Sequence, residues 1–172
     1  KPNNWNEWST VVERTIERYS STRQTICPGP ASQQSGLYYE VWNEPDLESF
    51  GDWGLSGDKD YRLLYRSSSQ GARRANDVYP FSLGGPATTA VYRNWIEKFL
   101  TYVQENNLRL DFISWHRYTD NPREFTNDVM NIDGWLRDDN FSQYANLPKI
   151  ISEWGYSSEY TPIAETGVGA AY

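Results

Sequence analysis

The sequence predicts an α/β fold built on a parallel sheet, and three observations carry the prediction. Segments with apolar residues at spacings of three, four and seven alternate with short runs rich in Tyr, Val, Ile and Trp, in the order α-β-α-β-α-β-α-β. A helix and two loops separate each strand from the next, so no hairpin is available and the strands must pair in parallel through right-handed crossovers. Every strand also runs into a polar or Gly-Pro group, and strand C-terminal ends are where a parallel array carries its chemistry.

Trp5, Trp8, Val11, Val12, Ile16 and Tyr19 form a helical stripe that ends near Ser20. Ser21 to Gly36, with Pro28-Gly29-Pro30 inside it, reads as a loop. Leu37 to Trp42 is a strand that stops at Asn43-Glu44-Pro45. Asp58 is the expected cap of a helix from Lys59 to Asn76, with Tyr61, Leu64, Tyr65 and Ala72 on one side. A second strand spans Phe81 to Gly85. Tyr92 to Asn106 repeats the helical pattern through Trp95, Ile96, Phe99, Leu100 and Val103, and a third strand covers Asp111 to His116. Phe125 to Arg137 is a helix with Val129, Ile132 and Trp135 and an internal Gly134. Lys149 to Glu153 is a fourth strand, bounded by Pro148 and Gly155. No linker or low-complexity stretch divides the chain, so residues 1–172 read as one domain.

Composition removes several classes of function. Acidic residues number 23 against 16 basic ones, for a formal net charge of −7. With no Lys/Arg cluster, this excludes a nucleic-acid surface, whose affinity comes from phosphate neutralisation. Mean hydropathy is −0.78, yet 8 Trp, 13 Tyr and 6 Phe supply enough burial area for a packed core. A single Cys27 excludes an internal disulfide and a cysteine zinc cage, and the lone His116 leaves no His-rich metal site, so neither metal nor organic cofactor is expected. No run approaches the roughly 20 apolar residues of a membrane span. The opening Lys1-Pro2-Asn3-Asn4 is not a signal peptide and lacks an initiator Met, as in an excised piece. The sequon Asn140-Phe141-Ser142 is the one pointer to an extracellular or cell-envelope location.

The strand ends are the informative part. They are Trp42-Asn43-Glu44-Pro45, Gly84-Gly85-Pro86, His116-Arg117-Tyr118 and Ser152-Glu153-Trp154-Gly155. Gly84-Gly85 lacks the glycine spacing and the lysine of a phosphate loop. Two glutamates therefore share one sheet edge. A period of two places Glu44 on the face of Trp42 and Glu40, Glu153 with Ile151, and His116 with Ser114 and Tyr118. Glu40 points toward the interior and calls for a cationic or hydrogen-bonding partner. A strand-end Glu is by itself an ordinary solvated charge. Two across a cleft are what glycoside hydrolysis needs, one protonated to donate to the leaving oxygen and one ionised to attack the anomeric carbon.

Four matched segments carry a specific resemblance: Tyr39 to Leu47, Gly84 to Thr88, Phe112 to Tyr118 and Ile151 to Gly155. Together they resemble clan A of the retaining glycoside hydrolases and are most similar to family 39, the β-xylosidase and α-L-iduronidase group. The resemblance implies a partial (β/α)₈ TIM barrel covering strands 4 to 7, since a closed barrel takes about 250 residues. It implies a retaining O-glycosidase with Glu44 as general acid/base and Glu153 as nucleophile. Asn43 would donate to the sugar 2-hydroxyl, Tyr118 would hold ionised Glu153, His116 would serve sugar or carboxylate, and Trp154 would stack on a sugar face. The expected partner is an oligosaccharide or other glycoside. The remaining strands would come from the same or another polypeptide, and the arc alone is expected to be inactive. The competing reading is a catalytically silent carbohydrate-binding descendant of such a barrel.

Overall fold

The computed structural model describes residues 1–23, 36–137 and 140–159. Cys27, Pro28-Gly29-Pro30 and most of the predicted loop lie outside them. Among the described residues, four α-helices and four strands alternate: α1 (Trp5–Tyr19), β1 (Leu37–Glu40), α2 (Tyr61–Arg74), β2 (Phe81–Thr88), α3 (Arg93–Glu105), β3 (Phe112–Tyr118), α4 (Arg123–Leu136) and β4 (Lys149–Gly155). The strands form one sheet in the order β1-β2-β3-β4, parallel throughout. This is the predicted α/β class, a half-barrel with its helices. Among the described residues no helix is long and apolar enough to cross a membrane.

Local chemistry sets the element ends. Asn4 starts α1 by accepting from the backbone N–H groups of Asn6 and Glu7. The cap of α2 is Asp60 rather than the expected Asp58. Gly54 exchanges backbone bonds with Lys59 and Tyr61, which holds the intervening segment out of helical geometry. Asp60 then accepts from Arg62 N–H and also pairs with the Arg62 guanidinium, while Asp58 forms an exposed ion pair with Lys1.

The helix layer packs closely because α2 carries small residues toward α1. A Cβ on Gly71 would sit 2.2 Å from the Ser9 carbonyl oxygen, so only glycine lets the two backbones approach this far. Beside it, Trp8 Nε1–H donates to Ser68 Oγ at 2.9 Å and Ser67 Oγ donates to the Trp5 carbonyl at 2.6 Å. Ile16, Leu64, Tyr65, Leu83, Phe99, Ile113, Trp115 and Ile132 are buried in one continuous core. Full burial of side chains this size contributes roughly 1.5–3 kcal/mol each.

Alternate residues form the opposite, inner face of the sheet. The Tyr38 and Phe112 rings meet edge to face at 5.3 Å, and Phe112 lies over Gly84, where any Cβ would be 2.6 Å from the ring. Ser114 and His116 continue this face, both buried.

Candidate active site

The turn after β1 delivers the first carboxylate. The strand stops at Glu40, two residues earlier than predicted, because Trp42 and Glu44 both adopt left-handed backbone, with φ of 74° and 42°. The two-residue alternation expected to carry Trp42 on the face of Glu40 and Glu44 therefore fails at Trp42, while Glu44 still reaches His116 on the inner side. Trp42 swings onto Trp8 and Trp53 and gives its Nε1–H to the Phe50 carbonyl. Glu44 is held by its own backbone N–H, which donates to the Ala87 carbonyl at 2.9 Å. Ala87 sits at a register shift in β2 with φ 56°. Asp46 closes the turn from the other side, accepting from the Thr89 backbone N–H and hydroxyl, and Tyr61 Oη donates to the Val41 carbonyl.

The second carboxylate arrives by a bulge. Trp115 pairs with Ile151, but His116 pairs with Glu153, leaving Ser152 as an extra residue. Trp115 faces the helices, where its Nε1–H donates to Asp128 of α4. Ile151 follows it outward, and the extra residue turns Glu153 inward beside His116. The expectation that Glu153 shares the face of Ile151 is corrected by this bulge.

His116 with Glu44 and Tyr118 with Glu153 form two hydrogen-bonded pairs in close contact. His116 is 1% exposed, and its Nδ1 lies 2.9 Å from Glu44 Oε1 and 3.4 Å from Glu153 Oε2. Tyr118 Oη donates to Glu153 Oε1 at 2.5 Å. That hydrogen bond, with a smaller contribution from desolvation, pushes the Tyr118 hydroxyl up to about 12, so it remains a donor at any physiological pH. One ligand-capable atom from each of Glu44, His116 and Glu153 lies within 4.8 Å of the others, close enough for a single cation to touch all three.

The outer side of β3 is fixed with equal care. Asp128 is 2% exposed and accepts from Trp115 and from the Arg117 guanidinium, at 3.0 and 2.6 Å. Locking residues 115 and 117 to α4 locks 116 and 118 on the other face.

Two predicted residues stand apart. The Asn43 side chain makes no hydrogen bond to the described residues and lies beside a groove lined by Trp42, Ser49, Phe50 and Gly51. Trp154 pairs in register with the outward-facing Arg117 and is 59% exposed, its ring perpendicular to Phe125 of α4 at 6.2 Å. Sequence reasoning missed Asp46, Ala87 and Phe125. Asp46 lay within the matched Asn-Glu-Pro-Asp segment, which was the available signal. A backbone carbonyl such as that of Ala87 leaves none.

Comparison with known proteins follows the same outline. The model of glycosyl hydrolases family 39 matches residues 1–169. A β-xylosidase of Geobacillus stearothermophilus is 29% identical over 99% of this chain and 35% of its own length. A β-xylosidase of Caldicellulosiruptor saccharolyticus is 27% identical over 68% of this chain and 22% of its own. The chain thus spans about a third or less of the curated relatives it matches. Among solved structures, a GH39 enzyme from Xanthomonas axonopodis pv. citri superposes with a TM-score of 0.65 at 22% identity, covering 92% of this chain and 31% of that one. A glucosidase from Croceicoccus marinus gives 0.64 at 18% identity, covering 95% of this chain and 33% of that one. Both show the same fold.

Proposed function

This chain belongs to glycosyl hydrolase family 39, and on that premise we propose that residues 1–172 form the catalytic arc of a retaining O-glycosidase. The observation that carries the reading is the meeting of Glu44 and Glu153 on one imidazole, with their nearest oxygens within 4.8 Å. Retaining enzymes hold their carboxyl groups about 5–5.5 Å apart, and inverting ones leave a wider gap for water.

In this reading, Glu44 protonates the glycosidic oxygen while ionised Glu153 attacks the anomeric carbon. The leaving group departs with the proton and a glycosyl ester forms on Glu153. Glu44, now a carboxylate, takes a proton from water, which attacks the same carbon and releases the sugar with its configuration kept. Neither carboxylate is consumed, and no cofactor is needed to balance the steps. Tyr118 supports Glu153 by donating to the oxygen not engaged with His116. His116 fixes the spacing of the pair. Asn43 and Trp154, outside the two hydrogen-bonded pairs, are assigned to the bound sugar, Asn43 at its 2-hydroxyl and Trp154 as a stacking platform.

The complete active site draws on further polypeptide, of the same or another chain, to finish the barrel. Because the matched curated relatives are named β-xylosidases, aryl β-xylosides are the first substrates to test. The full-length protein is to be screened against a panel of aryl glycosides, with product stereochemistry followed by NMR. Hydrolysis with retained configuration supports the reading. Sugar binding without turnover would replace it with the silent carbohydrate-binding one.

A further inference from the structure

Glu40 ends β1 on the inner face of the sheet, next but one to Tyr38. Its Oε1 is buried and has no hydrogen-bond partner. None of the ion pairs among the described residues involves it: Arg62, Arg74, Arg109, Arg117 and Lys149 are each paired with another carboxylate. The residue opposite in register is Gly84, which offers no polar side chain and is covered by the Phe112 ring. On the same inner face, Ser114 Oγ is also buried and unpartnered. A buried carboxylate oxygen without a partner costs several kcal/mol and does not persist uncompensated.

The surroundings indicate where compensation comes from. β1 is an edge of the sheet, and a cleft of about 280 Å³ lined by Trp8, Val12, Ile16, Tyr39 and Glu40 runs along it. The chain is acidic, with net charge −7. The curated relatives are about three times as long or more, with the chain covering 35% and 22% of them.

We propose that Glu40 is the seat of a Lys or Arg side chain carried by a strand that pairs with the open edge of β1, from polypeptide outside these 172 residues. The inference rests on the reading that further polypeptide completes the sheet, and it assigns Glu40 a partner rather than a catalytic part. A charge-assisted hydrogen bond is the strongest match for an unpartnered carboxylate oxygen, which favours a cationic donor over a hydroxyl or amide. The incoming cation would be desolvated as well, so each charge depends on the other.

The sign of a substitution decides the matter. In the full-length protein, Glu40→Leu and Glu40→Gln are compared with wild type by urea unfolding. With a cation in place, both leave it buried and unpaired. The unfolding equilibrium constant then rises about 100-fold or more for Glu40→Leu, and about 10-fold or more for Glu40→Gln. Without a cation, Glu40→Leu removes an orphan charge and is neutral or stabilising, which overturns the proposal. Wild-type stability in Glu40→Gln overturns it too, since a neutral donor serves an amide oxygen as well. If Glu40→Leu does not accumulate folded, Lys→Met and Arg→Met changes outside residues 1–172 are introduced into it singly. One of them is expected to restore soluble protein by turning the pair apolar, and failure of all of them overturns the assignment. The glycosidase assay on wild type is separate: an inactive protein with destabilised Glu40→Leu refutes the catalytic reading and keeps this one.

Discussion

Tyr118 donates to Glu153 across the end of the sheet, 2.5 Å from hydroxyl to carboxylate. The pairing is possible because the bulge at Ser152 puts Glu153 beside His116, and Tyr118 lies one further inward position along β3.

Removing that donor tests its worth. Tyr118→Phe in the full-length protein is expected to lower kcat/KM about 10- to 100-fold, the range for one hydrogen bond to a charged group of roughly 1.5–3 kcal/mol. The pH dependence has a definite sign. The hydroxyl is raised from its ordinary value near 10 to about 12 in the fold, so the stability it contributes is full below pH 10 and is lost as pH rises through about 12. Wild type and Tyr118→Phe should therefore converge in stability over that window, as followed by urea unfolding, with no such convergence below it.

Glu153→Gly in the same protein is expected to abolish hydrolysis, and added azide to produce a glycosyl azide of inverted configuration by occupying the vacated space. Near-normal hydrolysis by the variant would remove Glu153 as nucleophile.

The acid matters most when the leaving group is poor. Glu44→Ala should therefore slow unactivated glycosides far more than activated aryl glycosides, and should erase the basic limb of the pH–rate profile. Kinetics on a series of leaving groups checks this, and equal losses across the series would count against the role.

Asp128 reaches the site only through β3. Asp128→Ala strips the partner from Trp115 Nε1 and from Arg117 and is expected to cost about 3–5 kcal/mol of stability, as when one partner of a buried pair is deleted. Below its new melting temperature, the variant should lose kcat with KM little changed, because the shifted groups are His116 and Tyr118.

Much of this architecture was legible in the sequence, for stateable reasons. Helical spacing found all four helices, and β-rich runs found all four strands, because both signals repeat over many residues. Glu44, His116, Tyr118 and Glu153 were placed at one sheet edge, and the structure joins them. What escaped depended on single residues. Asp58 and Asp60 are equally good caps on paper, and backbone bonds from Gly54 decide between them. Counting by two failed at Trp42 because left-handed backbone at a non-glycine residue is held only by its surroundings, here Trp8, Trp53 and Phe50. It failed again at Glu153 because a bulge is a property of two strands in register. Trp154 lies in register with Arg117 and meets the Phe125 ring at a right angle while staying largely exposed, a contact between strand and helix that neither segment signals by itself.

The bulge in β4 also bears on how this segment tolerates change over time. Ser152 is exposed and adds only its backbone to the register shift, so its identity is open to drift. The constraint lies in the pairing, not in the residue. A ladder that took Ser152 into register would set Glu153 opposite Arg117 and point it at the helices, whereas deleting Ser152 would leave Glu153 directly after Ile151 and still opposite His116. At this spot the strand can accept a replacement or the loss of one residue, and the change it cannot accept is one that draws the extra residue into the ladder.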